Sequence, residues 1–352
     1  MSISFGSANM TKLNSLLCGA VVFIFSTTLF AAGFDLRTGV VVDPARGVAY
    51  LGTPSGAIEA LDLSTGRPAW TSPAAALPLA LNGRLLLARA QEARPGPRLP
   101  LVVFDEDGRK LLEAFAPLPK DVVGIVQDDP WRKLRVTAVA DGDGFFIEWT
   151  FVNRREHRGS TDSPSSDPGQ STESGALRFD PRTGQSIAFE KEVGLVEQPA
   201  PWQAAGVIAS TEGGPGGPMV LKRRDAATGR QLPDRQLARM TIAALRSADG
   251  GYVLVSERVG AGGPDDPEYR WSVWSLDKGE KQGEVRRDIS ASPFFVQKES
   301  LVFTAQPHGY LRGGSWIDEP LKIVSIRLSS GSPQWDRAIR DVAFRGQVPP
   351  GR

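Results

Sequence analysis

The chain has 352 residues, a formal net charge of +1 and 41% hydrophobic residues, a composition typical of an ordinary globular protein. The nearly neutral charge argues against a nucleic-acid partner, because that function calls for a basic surface. The single cysteine, Cys18, lies in an apolar N-terminal segment. The rest of the chain therefore has neither a disulfide framework nor a cysteine-based metal site.

The first predicted element is a secretory signal peptide over residues 1–33. Lys12 precedes an apolar stretch at 13–32, and small residues at 31–33 end it, which is the pattern of a leader that is cleaved on export. We expect cleavage after Gly33 and a periplasmic or secreted mature protein. An uncleaved membrane anchor is the alternative, although the polar residues at 26–28 interrupt the ~20 apolar residues that a span requires.

A recurring turn dominates the remainder of the chain. An apolar strand leads into Asp or another polar residue, and a Gly follows two to four residues later; the copies end at Gly66, Gly108, Gly184, Gly229, Gly279 and Gly331. Asp can accept hydrogen bonds from backbone N–H groups two residues on, and Gly takes a positive φ without a Cβ clash. Most copies are about 40–50 residues apart, a period typical of propeller blades.

Each unit is predicted to contain four short strands, because apolar runs bounded by Gly, Pro and Asp favour strands. In the first unit we expect strands at 40–42, 48–51 and 57–61 and a fourth that ends at Trp70. No helix is predicted beyond the leader. The fold class is therefore all-β: a single β-propeller of four-stranded blades over residues 34–352, with six blades.

Seven blades are the alternative. The segment 34–39 imitates the recurring turn, and the tail 341–352 could help to close a further blade. The longer interval between Gly108 and Gly184 contains an insertion at 158–175. No apolar residue occurs there, so the insertion is predicted to be a disordered loop within one blade.

The run Ala60-x-Asp62-x-x-x-Gly66-x-x-x-Trp70 resembles the tryptophan-docking motif of propellers of the pyrroloquinoline-quinone type. The resemblance implies that the Trp70 ring stacks on the neighbouring blade. Trp335 occupies the same place in the last copy, where Arg327 replaces the Asp. The other four copies keep the Gly but lack the Trp; the residues at that spacing are Leu112, Ala188, Pro233 and Gly283.

The resemblance also bears on cofactors. The quinone dehydrogenases of this family are larger, eight-bladed and calcium-dependent, and often have adjacent cysteines over the cofactor. This chain has no cysteine outside the leader and is too short for eight ordinary blades, so we expect neither pyrroloquinoline quinone nor calcium. The family also includes scaffolds without a cofactor, such as outer-membrane assembly lipoproteins.

No catalytic, cofactor-binding or metal-binding residue is assigned. His157 and His308 are the only histidines, and both are predicted to be solvated loop residues. The sequence Asp141-Gly-Asp-Gly144 is predicted to be a hairpin turn, because it lacks the remaining ligands of an EF-hand loop.

Three further features have an open alternative. The carboxylates Asp265, Asp266 and Glu268 are predicted to be solvated, with weak cation binding as the alternative. The basic run at 154–158 is predicted to be an exposed loop base, with docking of an acidic partner as the alternative. Trp131 and Trp316 lie near long connections and are candidates for an interface.

The function predicted from these features is a non-catalytic protein-interaction scaffold that is secreted or periplasmic. We expect a monomer that binds a protein partner on one propeller face, with no membrane span once the leader is removed. The alternatives are a reduced quinoprotein-like enzyme, a hydrolase that uses loop carboxylates around the channel, and a small-ligand-binding propeller.

Overall fold

The computed structural model describes residues 33–90, 98–118, 132–153, 172–189, 202–259, 268–312 and 315–341. The chain divides into two units, Met1–Phe30 and Ala31–Arg352, and every described residue belongs to the second. The described ranges contain strands and turns and no helix, and therefore no helix long and apolar enough to cross a membrane. The predicted signal peptide lies outside them apart from Gly33.

Six antiparallel sheets follow one another along the chain, and we number them as blades 1 to 6. The strands of blades 1 to 3 are β1 (Phe34–Arg37), β2 (Val40–Asp43), β3 (Val48–Gly52), β4 (Ile58–Asp62), β5 (Pro68–Ser72); β6 (Leu77–Asn82), β7 (Leu85–Arg89), β8 (Arg98–Phe104), β9 (Lys110–Pro117); β10 (Arg132–Asp141), β11 (Gly144–Asn153), β12 (Thr172–Phe179) and β13 (Ser186–Phe189).

The strands of blades 4 to 6 are β14 (Trp202–Ala204), β15 (Val207–Glu212), β16 (Met219–Asp225), β17 (Gln231–Ala238); β18 (Ala243–Arg246), β19 (Tyr252–Arg258), β20 (Tyr269–Ser275), β21 (Lys281–Arg287); β22 (Phe294–Gln297), β23 (Ser300–Ala305), β24 (His308–Arg312), β25 (Ser315–Glu319), β26 (Lys322–Arg327) and β27 (Pro333–Ala338). Within blade 6, β24 and β25 form a separate two-stranded hairpin inserted between β23 and β26.

The predicted fold class is confirmed: the protein is a six-bladed β-propeller. Strands pair in sequence order within each blade, apart from the hairpin inserted in blade 6, so every blade is an antiparallel meander. The last blade contacts the first, because Arg340 N–H donates to the carbonyl oxygen of Gly52 at 2.7 Å. That contact closes the ring between the two ends of the chain.

The recurring turn has the predicted chemistry. In blade 1 one carboxylate oxygen of Asp62 accepts from the N–H groups of Ser64 and Thr65, at 2.8 and 2.9 Å, and Gly66 has a φ of 69°. Hydrogen bonds from both hydroxyls and both amides lower the pKa of Asp62, the Ser64 hydroxyl most of all. In each blade this turn joins the last two strands.

The turn of blade 5 begins two positions earlier than Asp277 suggests. Gly279 N–H donates to the carbonyl oxygen of Ser275, so Ser275 takes the place that Asp62 has in blade 1. The Ser275 hydroxyl accepts from Lys278 N–H at 3.2 Å. A hydroxyl can therefore replace the carboxylate at the start of the turn.

The segment 34–39 does not begin a seventh blade. Phe34–Arg37 is β1, which pairs with β2 through a two-residue turn and adds a fifth strand to blade 1. Apart from Asp341, the tail 341–352 lies outside the described residues. The predicted insertion at 158–175 is also outside them, except that 172–175 begin β12.

The start of β12 packs against the indole of Trp149 on the neighbouring strand β11. Gly175 lies directly opposite Trp149 of β11, and a Cβ at Gly175 would overlap the Trp149 indole. The polar composition of 172–175 predicted a loop, but pairing with β11 supplies the backbone hydrogen bonds and the indole covers the glycine. Cross-strand packing therefore overrides local propensity here.

The hydrophobic core is divided into clusters that each lie between two blades. Five interfaces have such a cluster: blades 6 and 1, blades 1 and 2, blades 2 and 3, blades 4 and 5, and blades 5 and 6. Among the described residues, no cluster spans blades 3 and 4. Apolar clusters therefore pack five of the interfaces between blades, and the described residues form no such cluster at the sixth, between blades 3 and 4.

Candidate functional site

Tryptophan contacts hold the interfaces on either side of blade 1. The Trp335 indole N–H donates to Leu63 O at 3.0 Å, and the Trp70 indole N–H donates to Glu106 O at 3.0 Å. Each ring lies where a Cβ of the next blade's turn glycine, Gly66 or Gly108, would be. These are the contacts that the tryptophan motif implies.

The interface between blades 6 and 1 has an ion pair that sequence reasoning missed. Arg337 donates two hydrogen bonds to the buried carboxylate of Glu59, at 2.7 and 2.9 Å. The Glu59 carboxylate raises the pKa of Arg337. Since Arg337 is two residues after Trp335, both contacts come from one strand and close the ring together.

Smaller residues take the tryptophan's place at two other interfaces. Between blades 2 and 3, Leu112 and Ala114 cover Gly184, with the Ala114 methyl 3.1 Å from the position of a Cβ. Between blades 5 and 6, Gly283 occupies the tryptophan position and lets the backbone of Leu328 approach closely. Apolar burial continues at both interfaces without an indole.

An arginine takes this role between blades 4 and 5. The Arg223 guanidinium lies over Gly279, and it donates to Asp277 O at 2.8 Å and to Pro233 O at 3.3 Å. Burial lowers the pKa of Arg223. The corresponding position, two residues before the turn, is Ala60 in blade 1 and Ser325 in blade 6, both small. The large Arg223 at this position was therefore a sign in the sequence that a different residue fills this interface.

A polar groove of about 380 Å³ lies above this contact, between blade 4 and blade 5. Glu257 accepts from Arg239 N–H at 2.9 Å and from the Arg270 guanidinium at 2.5 Å. Burial of Glu257 opposes ionisation, but these hydrogen bonds outweigh it and lower the pKa of the carboxyl. Glu284 pairs with Lys281. The groove is an ion network whose acids already have cationic partners.

The interface between blades 3 and 4 has none of these contacts. Nothing described lies within 4 Å of a Cβ at Gly229. On the face of blade 3 that points towards blade 4, Val139 and Ile187 are 59% and 65% exposed. Phe146 lies between Val139 and Arg178 in the same row of cross-strand neighbours, and Arg178 is directly opposite Ile187. We call this row the open face of blade 3.

The tryptophan position of blade 3 is Ile187, not Ala188 as the spacing predicts. In blades 1, 2, 5 and 6 a bulge after the turn moves the fourth strand by one residue. Blade 3 has no such bulge, so Ile187 lies opposite Arg178 as Trp70 lies opposite Ala60. Ala188 lies opposite Leu177 and therefore faces blade 2.

The inner edge of blade 1 lies among the first strands of other blades. The Phe34 ring of β1 meets the Phe295 ring of β22 edge-on at 5.3 Å between centroids, and Ala248 of blade 5 joins the same cluster. Asp35 keeps contact with water, yet the protein around it raises the pKa of the carboxyl to about 7. Strand β1 therefore forms one edge of blade 1 and packs against blade 6.

Most candidate residues of the sequence lie outside the part of the chain that the structure describes. His157, Trp131, Asp265, Asp266 and the basic run at 154–158 lie outside the described residues. His308 is on β24 and Trp316 is on β25, where only the backbone is described.

The three remaining acidic candidates have cationic neighbours; the Asp143 carboxylate lies 4.0 Å from the Arg182 guanidinium. Asp141 pairs with Arg178 at 3.1 Å in the predicted tight hairpin between β10 and β11. Glu268 lies 3.4 Å from Arg286. In the described ranges, no group of three or more His, Cys, Asp or Glu side chains could hold a metal ion.

No family model and no curated protein matches the chain. Similar solved structures include a computationally designed protein named Ika8, a dihydro-heme d1 dehydrogenase in complex with DHE and a europium-containing methanol dehydrogenase. Their sequence identities are 14%, 13% and 14%, and their TM-scores are 0.29, 0.31 and 0.24. The matches cover 87%, 88% and 83% of this chain and 88%, 67% and 67% of the other chains. Similarity this low carries no argument about activity.

Proposed function

We propose that this protein is a secreted or periplasmic β-propeller that acts as a non-catalytic scaffold for a protein partner. The observation that carries the proposal is the open face of blade 3, with Val139 and Ile187 more than half exposed. Apolar side chains grouped on one exposed face are typical of protein-interaction surfaces. The other five interfaces bury the equivalent faces in apolar clusters.

The proposal expects neither quinone nor calcium. It is supported by the packing of the Phe34 ring of β1 on the Phe295 ring of β22; among the described residues, no group of three or more His, Cys, Asp or Glu side chains could hold a metal ion. The quinoprotein-like enzyme remains the alternative. Incubation with pyrroloquinoline quinone and calcium should leave the thermal melt and the absorbance of the bound fraction unchanged, and a clear shift in either would favour the enzyme.

Secretion rests on the leader pattern at 1–33. Cleavage after Gly33 would leave Phe34, the first residue of β1, at the new N-terminus, so the whole propeller would be retained. N-terminal sequencing of the protein from the envelope fraction should begin at Phe34. A protein that starts upstream of residue 13 and sediments with membranes would instead support the anchor.

The scaffold role is tested by chemical cross-linking in intact cells. The tagged full-length protein is fixed with formaldehyde, purified and compared with an equally tagged exported protein of another fold. We expect one or a few proteins to be captured by the propeller and not by the control. An identical captured set from both baits would count against a scaffold.

A further inference from the structure

The hairpin between β6 and β7 contains the only Asn-Gly pair of the chain, Asn82-Gly83. Asn82 lies opposite Leu85, so Gly83 and Arg84 form the two-residue turn between them. Gly83 has a φ of 58°, which suits the first turn position because glycine has no Cβ. Both turn residues are exposed, and nothing described lies within 4 Å of a Cβ at Gly83. The turn glycine is therefore open to water.

The Asn82 carboxamide, by contrast, is half-buried and connects two blades. Its Nδ2 donates to Gly144 O at 2.7 Å and to Gly142 O at 3.2 Å, both in the hairpin between β10 and β11 of blade 3. A primary amide has two N–H groups, and these two bonds use both of them. The carboxamide is therefore held towards blade 3, at one end of an interface that apolar residues pack elsewhere.

Gln297 of blade 6 provides a comparison within the same molecule. It stands at the corresponding place, because it lies opposite Ser300 with a two-residue turn between them. Its Nε2 comes within 3.1 Å of the position of a Cβ at Gly47 in blade 1, so this carboxamide also reaches the next blade. The residue that follows is Lys298, whose side chain shields the backbone nitrogen. Of these two carboxamides, only that of Asn82 is followed by a glycine.

We propose that Asn82 is a modification site at which the chain deamidates spontaneously, and that the contact with blade 3 restrains this reaction. Asparagine is a thermolabile residue, and a following glycine has no side chain to shield its nitrogen. The Gly83 nitrogen attacks Cγ of Asn82 and gives up its proton to a solvent base. The bond from Cγ to Nδ2 breaks, and Nδ2 takes a proton from water and leaves as ammonia. Water then opens the five-membered succinimide ring to aspartate or isoaspartate.

The contact restrains the reaction because it holds the nitrogen that must leave. Ring closure requires the carboxamide to turn from blade 3 towards the Gly83 nitrogen, so both hydrogen bonds of Nδ2 must break first. Pairing of Asn82 with Leu85 also fixes the backbone on either side of the turn. Loss of two hydrogen bonds corresponds to a factor of about ten or more in an equilibrium constant. Deamidation should therefore be slower in the folded protein by at least that factor.

Conversion of Asn82 to aspartate weakens the contact between blades 2 and 3. A carboxylate can only accept hydrogen bonds, and at this position it faces the carbonyl oxygens of Gly142 and Gly144, which are also acceptors. The same hairpin carries Asp141 and Asp143, which add like charge although each has an arginine partner. The modified chain therefore exchanges two hydrogen bonds for repulsion.

The first test follows residue 82 by peptide mass spectrometry. The mature protein is incubated for several weeks at mildly alkaline pH, either folded in buffer or unfolded in guanidinium chloride, and is then digested at acidic pH. We expect the peptide with Asn82 to gain the mass of an amide-to-acid exchange in the unfolded sample, and to do so at least about tenfold more slowly in the folded sample. The peptides with Asn153 and Gln297 are internal controls and should change far less, because Arg154 and Lys298 follow them. No conversion at position 82 in the unfolded chain, or equal rates in the two samples, overturns the proposal.

The second test measures the consequence for stability. Asn82→Asp has the side chain of one deamidation product, and in urea denaturation its unfolding equilibrium constant should be at least about tenfold larger than that of the parent. Arg67→Gln is the matched control, because it changes the net charge by the same amount on an exposed turn of blade 1 and should leave the constant unchanged. Equal stability of Asn82→Asp and the parent overturns the proposal. Neither test involves a partner, so the outcome does not depend on the proposed scaffold function.

Discussion

The interfaces beside blade 1 and the interface between blades 3 and 4 start from the same local structure but pack differently. Gly66, in blade 1, and Gly229, in blade 4, have φ values of 69° and 70°, and both turns begin with an Asp whose carboxylate accepts backbone N–H groups. The Trp335 ring covers Gly66, whereas nothing described lies within 4 Å of a Cβ at Gly229. The turn therefore sets the local backbone, and the preceding blade decides whether the interface is packed.

The difference can be traced to the residue two positions before the turn. Blades 3 and 4 both have an arginine there. Arg223 crosses to the next blade and donates to Asp277 O, whereas Arg178 turns back to the Asp141 carboxylate of its own blade at 3.1 Å. The corresponding hairpin of blade 4 is Ala205-Gly206, with no carboxylate to hold Arg223. An ion pair within one blade thus competes with a contact between blades.

Loss of the ring-closing indole should have the largest effect. Trp335→Ala removes the contact over Gly66 and the hydrogen bond to Leu63, and we expect the free energy of unfolding to fall by about 3 kcal/mol. Urea denaturation measures this change. Leu112→Ala, at the same position of blade 2, is the control and should cost about half as much. An equal loss in both variants would show that Trp335 stabilises its interface no more than Leu112 does.

The two turn glycines provide a direct comparison of a packed and an open interface. Gly66→Ala should lose about 3 kcal/mol, because the Cβ is strained at positive φ and also overlaps the Trp335 ring. Gly229→Ala has the same φ and no overlap, so it should lose about 1 kcal/mol. Urea midpoints of the two variants measure the difference. If they lose the same amount, the interface at Gly229 is packed like that at Gly66.

A tryptophan at the register position of blade 3 should have a smaller, stabilising effect. In Ile187→Trp the indole can cover Gly229 and exclude water, and we expect the free energy of unfolding to rise by about 1 kcal/mol. Ala188→Trp is the matched control, because position 188 faces blade 2 and should gain nothing. A larger gain from position 188 than from position 187 would contradict the register.

The pH dependence of stability tests the surroundings of Asp35 in β1, and we expect it to be the smallest effect. Burial raises the pKa of Asp35 to about 7, above the value near 3.9 of an unfolded chain. The native state therefore holds a proton that the unfolded state lacks, and stability should fall as pH rises from about 4 to 7.

The variant Asp35→Asn should flatten this slope in thermal melts between pH 4.5 and 7.5. Some slope should remain, because burial also raises the pKa of Asp249. Water reaches the Asp35 side chain, so we expect a small change in melting temperature. A variant that keeps the full slope would place the titrating group elsewhere.

Much of the fold could be predicted from short stretches of the chain. Turn chemistry depends on neighbours within a few residues, and so Asp62, Gly66 and their counterparts revealed six blades. The tryptophan contacts also follow from local spacing, since Trp70 and Trp335 stand at the same distance from a turn. The alternative of a seventh blade rested on the segment 34–39, which resembles the recurring turn but forms β1 and pairs with β2.

The candidate site could not be predicted, because its properties depend on contacts between distant parts of the chain. Spacing assigned the tryptophan position of blade 3 to Ala188, and only the absence of a bulge places Ile187 there. The direction of an arginine side chain likewise depends on its neighbours in space. Arg178 pairs with the Asp141 carboxylate of its own blade, whereas Arg223 donates to Asp277 O of the next blade.

The sequence by itself determined the repeated all-β blades and the chemistry of their turns, because hydrogen bonds and φ angles within a few residues specify them. Only the tertiary structure decided which interfaces are packed, that β1 adds a fifth strand to blade 1 and that Ile187 is exposed. These properties arise from register and burial between blades, and both depend on side chains that are far apart in the chain.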